Sequence, residues 1–550
     1  MTDAVGHGLG SPTRHRTGVT LFTGRVARWA LVTFYGALWT AMLAPLLFAA
    51  VPPLIDYPNH LARMWILVHH GDIPELAGNY VLNWRILPDM GMDLIVPALA
   101  QMMPVVDAGR VFVALAMLGL VAGTATLHRT LHGRVGLWPV WAVLFVYNAV
   151  LFWGFVTCLF AVGLYLFAFS GWIASRRWPA LPRLLVFAGV AALLFLTHVF
   201  AFGLYCLSVA AYELGLRLRL PRRRGLLKSA ASYALLCLQF IPGLVLWYAS
   251  LGNVKSAYTA YGSLGSKLNA LFSPATFGTS LASLDRLTWL AAALVLFFAI
   301  SRGALKLAPE MRLPLAAMIV VALMMPEVAN GSWIADSRIP VVLPFVLIAG
   351  TRLQIERRRL AYGLGLSAAI CFGLRIWAVS QSWADYGRWF DEFRQAAAVI
   401  APGSKMLVVE DERSVAGQAL PGLPEVLAEL QPNAFRHMGA LAVIDRAAYF
   451  PYLFTQATTV GVAPENREIA QTAGVPVEPE TLIRSANPAE AASLDTRPDV
   501  YGQRPYWRDW PNAFDYVLWL DFAERRQPRP EQLSLLHAGS FFTLYRVVKR

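Results

Sequence analysis

Residues 181–224 read LPRLLVFAGVAALLFLTHVFAFGLYCLSVAAYELGLRLRLPRRR. Two apolar runs, 182–197 and 199–216, abut at His198 and end in the basic run 217–224. Crossing about 30 Å of hydrocarbon takes close to twenty apolar residues. The stretch therefore reads as a membrane hairpin, with an ionisable residue at one turn and a cationic cluster at the opposite end. Such a cluster is a topology signal that also meets anionic cytoplasmic lipid.

Working outward, apolar stretches recur along the first 380 residues. Eleven are expected to span: 29–51, 109–127, 136–149, 154–174, 182–197, 199–216, 227–249, 287–301, 313–328, 339–351 and 360–380. Basic clusters fall at every second junction: Arg14, Arg16, Arg25 and Arg28; Arg129 and Arg134; Arg176, Arg177 and Arg183; the run from Arg217 to Lys228; Arg302, Lys306 and Arg312; and the run from Arg352 to Arg359. They hold 22 of the 47 Lys and Arg, against four acids on the same side, Asp3, Glu213, Glu310 and Glu356. The positive-inside rule then puts the N-terminus in the cytoplasm and, after eleven spans, the C-terminus outside.

This organisation explains the composition. Of 550 residues 57% are hydrophobic and 15% charged, well below the roughly 25% charged of soluble chains. The mean hydropathy is +0.49. A net charge of +13 would suggest nucleic acid in a soluble protein. Here the tail 381–550 carries 17 Lys and Arg against 21 Asp and Glu, so the excess belongs to the cytoplasmic edges and no nucleic-acid partner is expected. The fold class expected is an α-helical polytopic membrane protein. Its parts are a cytoplasmic segment 1–28, a transmembrane domain 29–380 with external loops 52–108 and 250–286, and an external soluble α/β domain 381–550. The polar start precedes too long an apolar run for a cleaved signal peptide. Cys158, Cys206, Cys237 and Cys371 all lie in expected spans, with no CxxC, so neither a disulfide framework nor a thiolate metal site is indicated.

In the tail, a helix is expected over 389–400, ended by Pro402-Gly403, with strands at 405–409, 516–520 and 541–547. No phosphate-binding glycine loop and no HExxH occurs. The first external loop opens with Pro52-Pro53-Leu54-Ile55-Asp56-Tyr57-Pro58-Asn59-His60-Leu61-Ala62-Arg63. The prolines end span one, and a helix over 59–70 with Asn59 as N-cap would follow. Asp56 then sits on a turn at the outer surface, with His60 and Arg63 on one helical face. Each residue also has a plain structural reading: Asp56 as a cap, Asp89 and Asp93 as acids favouring a helix N-terminus, His198 as a turn residue, Asp336 and Arg338 as a local ion pair. Arg375, deep in span eleven, can snorkel outward. Tyr258 and Tyr261 mark a loop long enough to close over a substrate.

These features together resemble the GT-C superfamily of polytopic glycosyltransferases, such as protein O-mannosyltransferases and lipid A aminoarabinose transferases. The resemblance rests on the cytoplasmic start, the long first external loop with Asp56 and Arg63, the turns Trp153-Gly154-Phe155 and Thr197-His198-Val199, Asp336-Ser337-Arg338 before a late span, and the external tail. Many members carry a paired acid where this chain has Asp56 followed by Tyr57, so a carboxylate-pair metal role is not carried over. The resemblance implies a polyprenyl-phosphate-linked sugar donor, a lipid or glycan acceptor in the envelope and inversion at C1, in a bacterial plasma membrane with the tail in the periplasm. Asp56 becomes the candidate general base. His60, Arg63, Asp89, Asp93, His198, Asp336 and Arg338 become candidate substrate-binding residues, with Arg338 facing the lipid phosphate. No cofactor is required; a divalent metal is compatible but not called for. Two other readings compete. A secondary transporter would show paired repeats and mid-membrane ionisable residues, and a catalytically silent relative would bind a lipid-linked glycan without the second acid.

Overall fold

Apolar runs long enough to satisfy their own backbone polar groups as helices build most of the chain. The computed structural model describes residues 25–219, 226–251, 258–277, 282–355, 358–410, 432–456, 458–470, 476–494, 505–520 and 529–549. Most of the expected cytoplasmic segment 1–28 and residues 220–224 of the basic run lie outside them. The membrane part comprises α1 (Arg25–Met42), α5 (Val105–His132), α6 (Ala149–Phe152), α7 (Val156–Ala174), α8 (Ala180–Thr197), α9 (Val199–Arg219), α10 (Leu226–Cys237), α11 (Ile241–Leu251), α13 (Ala282–Ser301), α14 (Arg312–Met324), α15 (Ala335–Gly350) and α16 (Arg358–Ala397). The first loop contributes α2 (Tyr57–His69), α3 (Pro74–Asn79), β1 (Tyr80–Leu82) and α4 (Gly91–Leu99), and the 250–286 loop contributes α12 (Leu264–Ala270).

The protein is a polytopic α-helical membrane protein. Among the described residues seven helices are long and apolar enough to cross a membrane: Val105–His132, Val156–Arg177, Ala180–Thr197, Val199–Arg219, Ala230–Leu251, Ser283–Ser301 and Tyr362–Ala397. All eleven expected spans fall on helical elements, yet four do not reach spanning length. α14 has 13 residues and rises only about 20 Å. α15 has 16 residues and contains Pro340 and Pro344. The expected α-helical span 136–149 is instead a 3₁₀ segment, Trp138–Phe145, opening at Pro139. The first ends at Met42 and continues only as the 3₁₀ turn Ala44–Leu47.

α5 and α7 pack along much of their length, then α7 on α9, α9 on α14, and α15 on α5 and α14. Gly119 and Gly163 let the first pair meet closely. A Cβ on Gly163 would stand 2.8 Å from the Gly119 carbonyl carbon, the small-residue contact that substitutes for hydrophobic driving force in lipid. Several basic clusters gather at one end. Strands β2 (Leu305–Leu307) and β3 (Thr351–Leu353) pair antiparallel with Lys306 opposite Arg352. There Trp138 donates to Thr351 Oγ1, Arg219 to the Pro309 carbonyl, and Glu213 lies between Arg183 and Arg217.

The opposite end carries the tail. Its sheet runs β4 (Met406–Glu410), β6 (Tyr516–Leu520), β8 (Phe542–Val547) and β7 (Leu533–Ala538), with β4 parallel to β6 and the others antiparallel. The three expected strands are β4, β6 and β8. The helix expected over 389–400 is the last stretch of α16, which continues unbroken from the membrane to Ala397. The tail also includes β5 (Val460–Val462), α17 (Leu441–Arg446) and α18 (Pro479–Ser485). β5 adds to β1 antiparallel, Tyr80 opposite Val462 and Leu82 opposite Val460. Asn79 donates to the carbonyls of Gly403 and Ala447, and Tyr80 to that of Ala448. The first loop and the tail thus form one layer.

Candidate functional site

Two turns and one helix start place Asp56. After Pro52-Pro53 the chain turns and lays its backbone on the 152–154 segment: Ile55 N donates to Phe152 O at 2.9 Å and Asp56 N to Trp153 O at 3.1 Å. Gly154 makes this possible. Its φ is +89°, and a Cβ there would lie 2.8 Å from Asp56 N. Helix α2 starts at Tyr57, two residues before the expected start, because Pro58 fits a first turn. Asp56 becomes the N-cap residue, but its side chain makes no capping hydrogen bond.

Asn59 is therefore not the N-cap. It is buried in the first turn of α2 and faces the tail. Its Oδ1 accepts from Phe454 N at 2.8 Å, and its Nδ2 donates to Tyr452 O at 2.7 Å and to His437 Nδ1 at 3.2 Å. The other nitrogen of His437, Nε2, lies 3.4 Å from Asp56 Oδ1. Sequence reasoning missed His437, which is 378 positions from Asn59.

His60 and Arg63 share the face expected of them, and Arg63 Nη1 lies 3.4 Å from His60 Nδ1. Burial first, and then the Arg63 charge, push the His60 imidazole down to about 3, so it is neutral at physiological pH. Arg63 is spent on Asp93: Nη2 reaches Asp93 Oδ2 at 2.6 Å, and both side chains are buried. Thr459 Oγ1 of the tail donates to the same oxygen at 2.6 Å. Asp93 lies in the first turn of α4, where a negative charge suits the helix dipole.

Asp89 and Asp93 do not act as a pair, since Asp89 faces the 197–199 turn. With φ +70°, Asp89 accepts from Val199 N at 3.2 Å and lies 3.2 Å from His198 Nδ1. That nitrogen also accepts from Phe200 N. Burial lowers the His198 imidazole to about 4 although Asp89 opposes the shift. The ring is neutral, so its closeness to Asp89 is not an ion pair.

Asp336 and Arg338 do not pair with each other either. Asp336, in the first turn of α15, lies 3.3 Å from Lys267 Nζ on α12. Arg338 sits with its guanidinium 4.8 Å above the Phe155 ring and donates to Ser332 Oγ. It is 8% exposed. Its Nε finds no hydrogen-bond partner, and among the described residues no carboxylate lies within ion-pair distance of it. The turn 153–155 links the two groups, its start holding the Asp56 backbone and its end lying under Arg338. Arg375 does not snorkel. It is 1% exposed, with Nη2 3.0 Å from Asp285 and donating to the carbonyls of Tyr147 and Ala275. Among the described residues no three His, Cys, Asp or Glu side chains gather as a metal site would.

Compared with known proteins, the chain matches no family profile and no curated protein. It is similar to two crystal structures of ArnT from Cupriavidus metallidurans. The apo state is 12% identical, covering 95% of this chain and 99% of that one with a TM-score of 0.46. The form bound to undecaprenyl phosphate is 11% identical, covering 95% and 98% with a TM-score of 0.49.

Proposed function

We propose that this chain is a GT-C-type membrane glycosyltransferase, moving a sugar from a polyprenyl-phosphate donor to an envelope acceptor with inversion. One observation carries the reading: the turn 153–155 holds Asp56 on its first residue and carries Arg338, buried and with no carboxylate partner among the described residues, on its last. A base and a cation are the two groups that displacing a phosphate from a sugar demands.

In this scheme the acceptor hydroxyl oxygen attacks C1 of the sugar from the face opposite the phosphate. Its proton passes to the Asp56 carboxylate. The C1–O bond to phosphate breaks, and its electron pair stays on the phosphate oxygen facing Arg338. The guanidinium balances charge that develops only as that bond breaks, which is why it accelerates the step rather than merely binding the donor. The scheme calls on no metal ion. The gathered basic clusters face the cytoplasm, and the layer of first loop and tail faces the periplasm of a bacterial plasma membrane. Mass comparison of envelope lipids from a deletion strain and its parent tests the reading. A glycoform should vanish and return with the wild-type gene but not with Asp56→Asn. An unchanged lipid profile would overturn it.

A further inference from the structure

The tail is joined to the candidate base by one side chain that the scheme above does not use. His437 is 3% exposed, and its ring packs edge-on against Phe454, centroids 5.2 Å apart. Its protonation follows from a chain of hydrogen bonds. Phe454 N can only donate, so the atom of Asn59 that faces it is the oxygen. The other end of that amide is then the NH₂, which also suits its second neighbour, the Tyr452 carbonyl. An NH₂ facing His437 Nδ1 at 3.2 Å requires Nδ1 to accept. An imidazolium would set donor against donor. The ring is therefore neutral with its proton on Nε2, the nitrogen 3.4 Å from Asp56 Oδ1.

We propose that His437 is a positioning residue for the transfer reaction: its Nε2–H holds Oδ1 of Asp56 and leaves the other carboxylate oxygen to take the acceptor's proton. The inference rests on the reading of Asp56 as the base. The soluble tail then completes the site, since His437, Tyr452 and Phe454 from the tail fix a residue of the first loop. A gap of 3.4 Å in the free protein suits a contact that tightens when substrates arrive. His437 keeps its proton throughout. It does not replace Asp56 as base, because its only lone-pair nitrogen is occupied by Asn59. The titratable groups that face it are Asp56 and His60 on α2, and Arg436 precedes it in the chain.

The test uses the full chain expressed in the deletion strain, reading the rate at which the lost glycoform reappears after induction. His437→Phe keeps the ring and its packing but loses the donor, and should slow recovery about 10- to 100-fold. His437→Gln retains an N–H donor of similar reach and should restore most of the rate. A merely structural residue would give the reverse order, with Phe the better substitute, and that order would overturn the inference. In an Asp56→Asn background, His437→Phe should cost nothing further. If Asp56→Asn itself leaves recovery at the wild-type rate, the reading of the base has failed. If Asp56→Asn abolishes recovery while His437→Phe does not slow it, only the role of His437 has failed. Independently of any variant's folding, ¹⁵N-histidine NMR of the wild-type protein in nanodiscs at pH 7 should show His437 protonated at Nε2 alone. A proton on Nδ1 would contradict the proposal.

Discussion

The two sides of the 153–155 turn use their charges differently. Around α2 the charged side chains have partners from within the fold: Arg63 meets Asp93, Thr459 adds a third contact, and Asp56 lies beside His437. Around the start of α15, Asp336 turns to Lys267, and Arg338 is left with a hydroxyl, a carbonyl and an aromatic face. Both regions looked alike as sequence, an acid and an arginine a few residues apart. The difference teaches that a buried arginine is informative through what it lacks. Arg63 is held by a carboxylate, whereas Arg338 has none within ion-pair distance among the described residues, which in the proposed reaction leaves its charge for the donor phosphate. Removing one partner of a buried ion pair and removing an unpaired cation should therefore fail in different ways.

The largest effect is expected in stability. Asp93→Asn leaves Arg63 buried and unpaired, and should cost about 3–5 kcal/mol, read from denaturation of the purified protein. A loss under about 1 kcal/mol would place Arg63 in the same class as Arg338 and break the contrast. Arg338→Ala should do the opposite, slowing transfer about 10²- to 10³-fold with a smaller change in stability than Asp93→Asn. Arg338→Lys should recover part of the rate, since a point charge replaces a fork of donors. Gly154→Ala sharpens the comparison by disturbing the turn that links the sides. Its strain of about 1–3 kcal/mol falls against Asp56 N, so activity should drop along with the melting temperature.

The smallest effect is in pH. His60 and His198 both titrate below their ordinary value, to about 3 and about 4. Each is neutral when folded and takes up a proton below about pH 6.5 when unfolded. Their contribution to stability is full above that pH and fades as pH falls toward the folded values, by at most about 1.4 kcal/mol per unit for each. Melting curves between pH 7 and 5 should shift downward, and less steeply in His60→Gln. An equal slope in that variant would show His60 to be charged in the native state.

Much of the membrane part was legible because hydropathy and alternating basic clusters are local signals. The stretch 136–149 misled because apolar content does not distinguish an α-helix from a 3₁₀ segment. Arg375 misled similarly, since its partner Asp285 lies on another helix. At the site, Asp56 stood out by its place after two prolines, and the turn at Gly154 by its glycine. Asn59 was misread as a cap because Pro58 looked like a stop before the helix rather than part of its first turn. His437 gave no signal at all: no motif surrounds it, and its meaning comes only from the tail folding onto α2. The pairing of Arg63 with Asp93 was equally hidden, since it depends on how α4 packs against α2.

In the proposed reaction Asp56 takes a proton from the acceptor. Its most direct test is sugar transfer by the purified protein from polyprenyl-phosphate sugars, comparing wild type with Asp56→Asn. The rate should fall about 10²- to 10⁴-fold with the melting temperature unchanged. A variant that transfers within about threefold of wild type would contradict it.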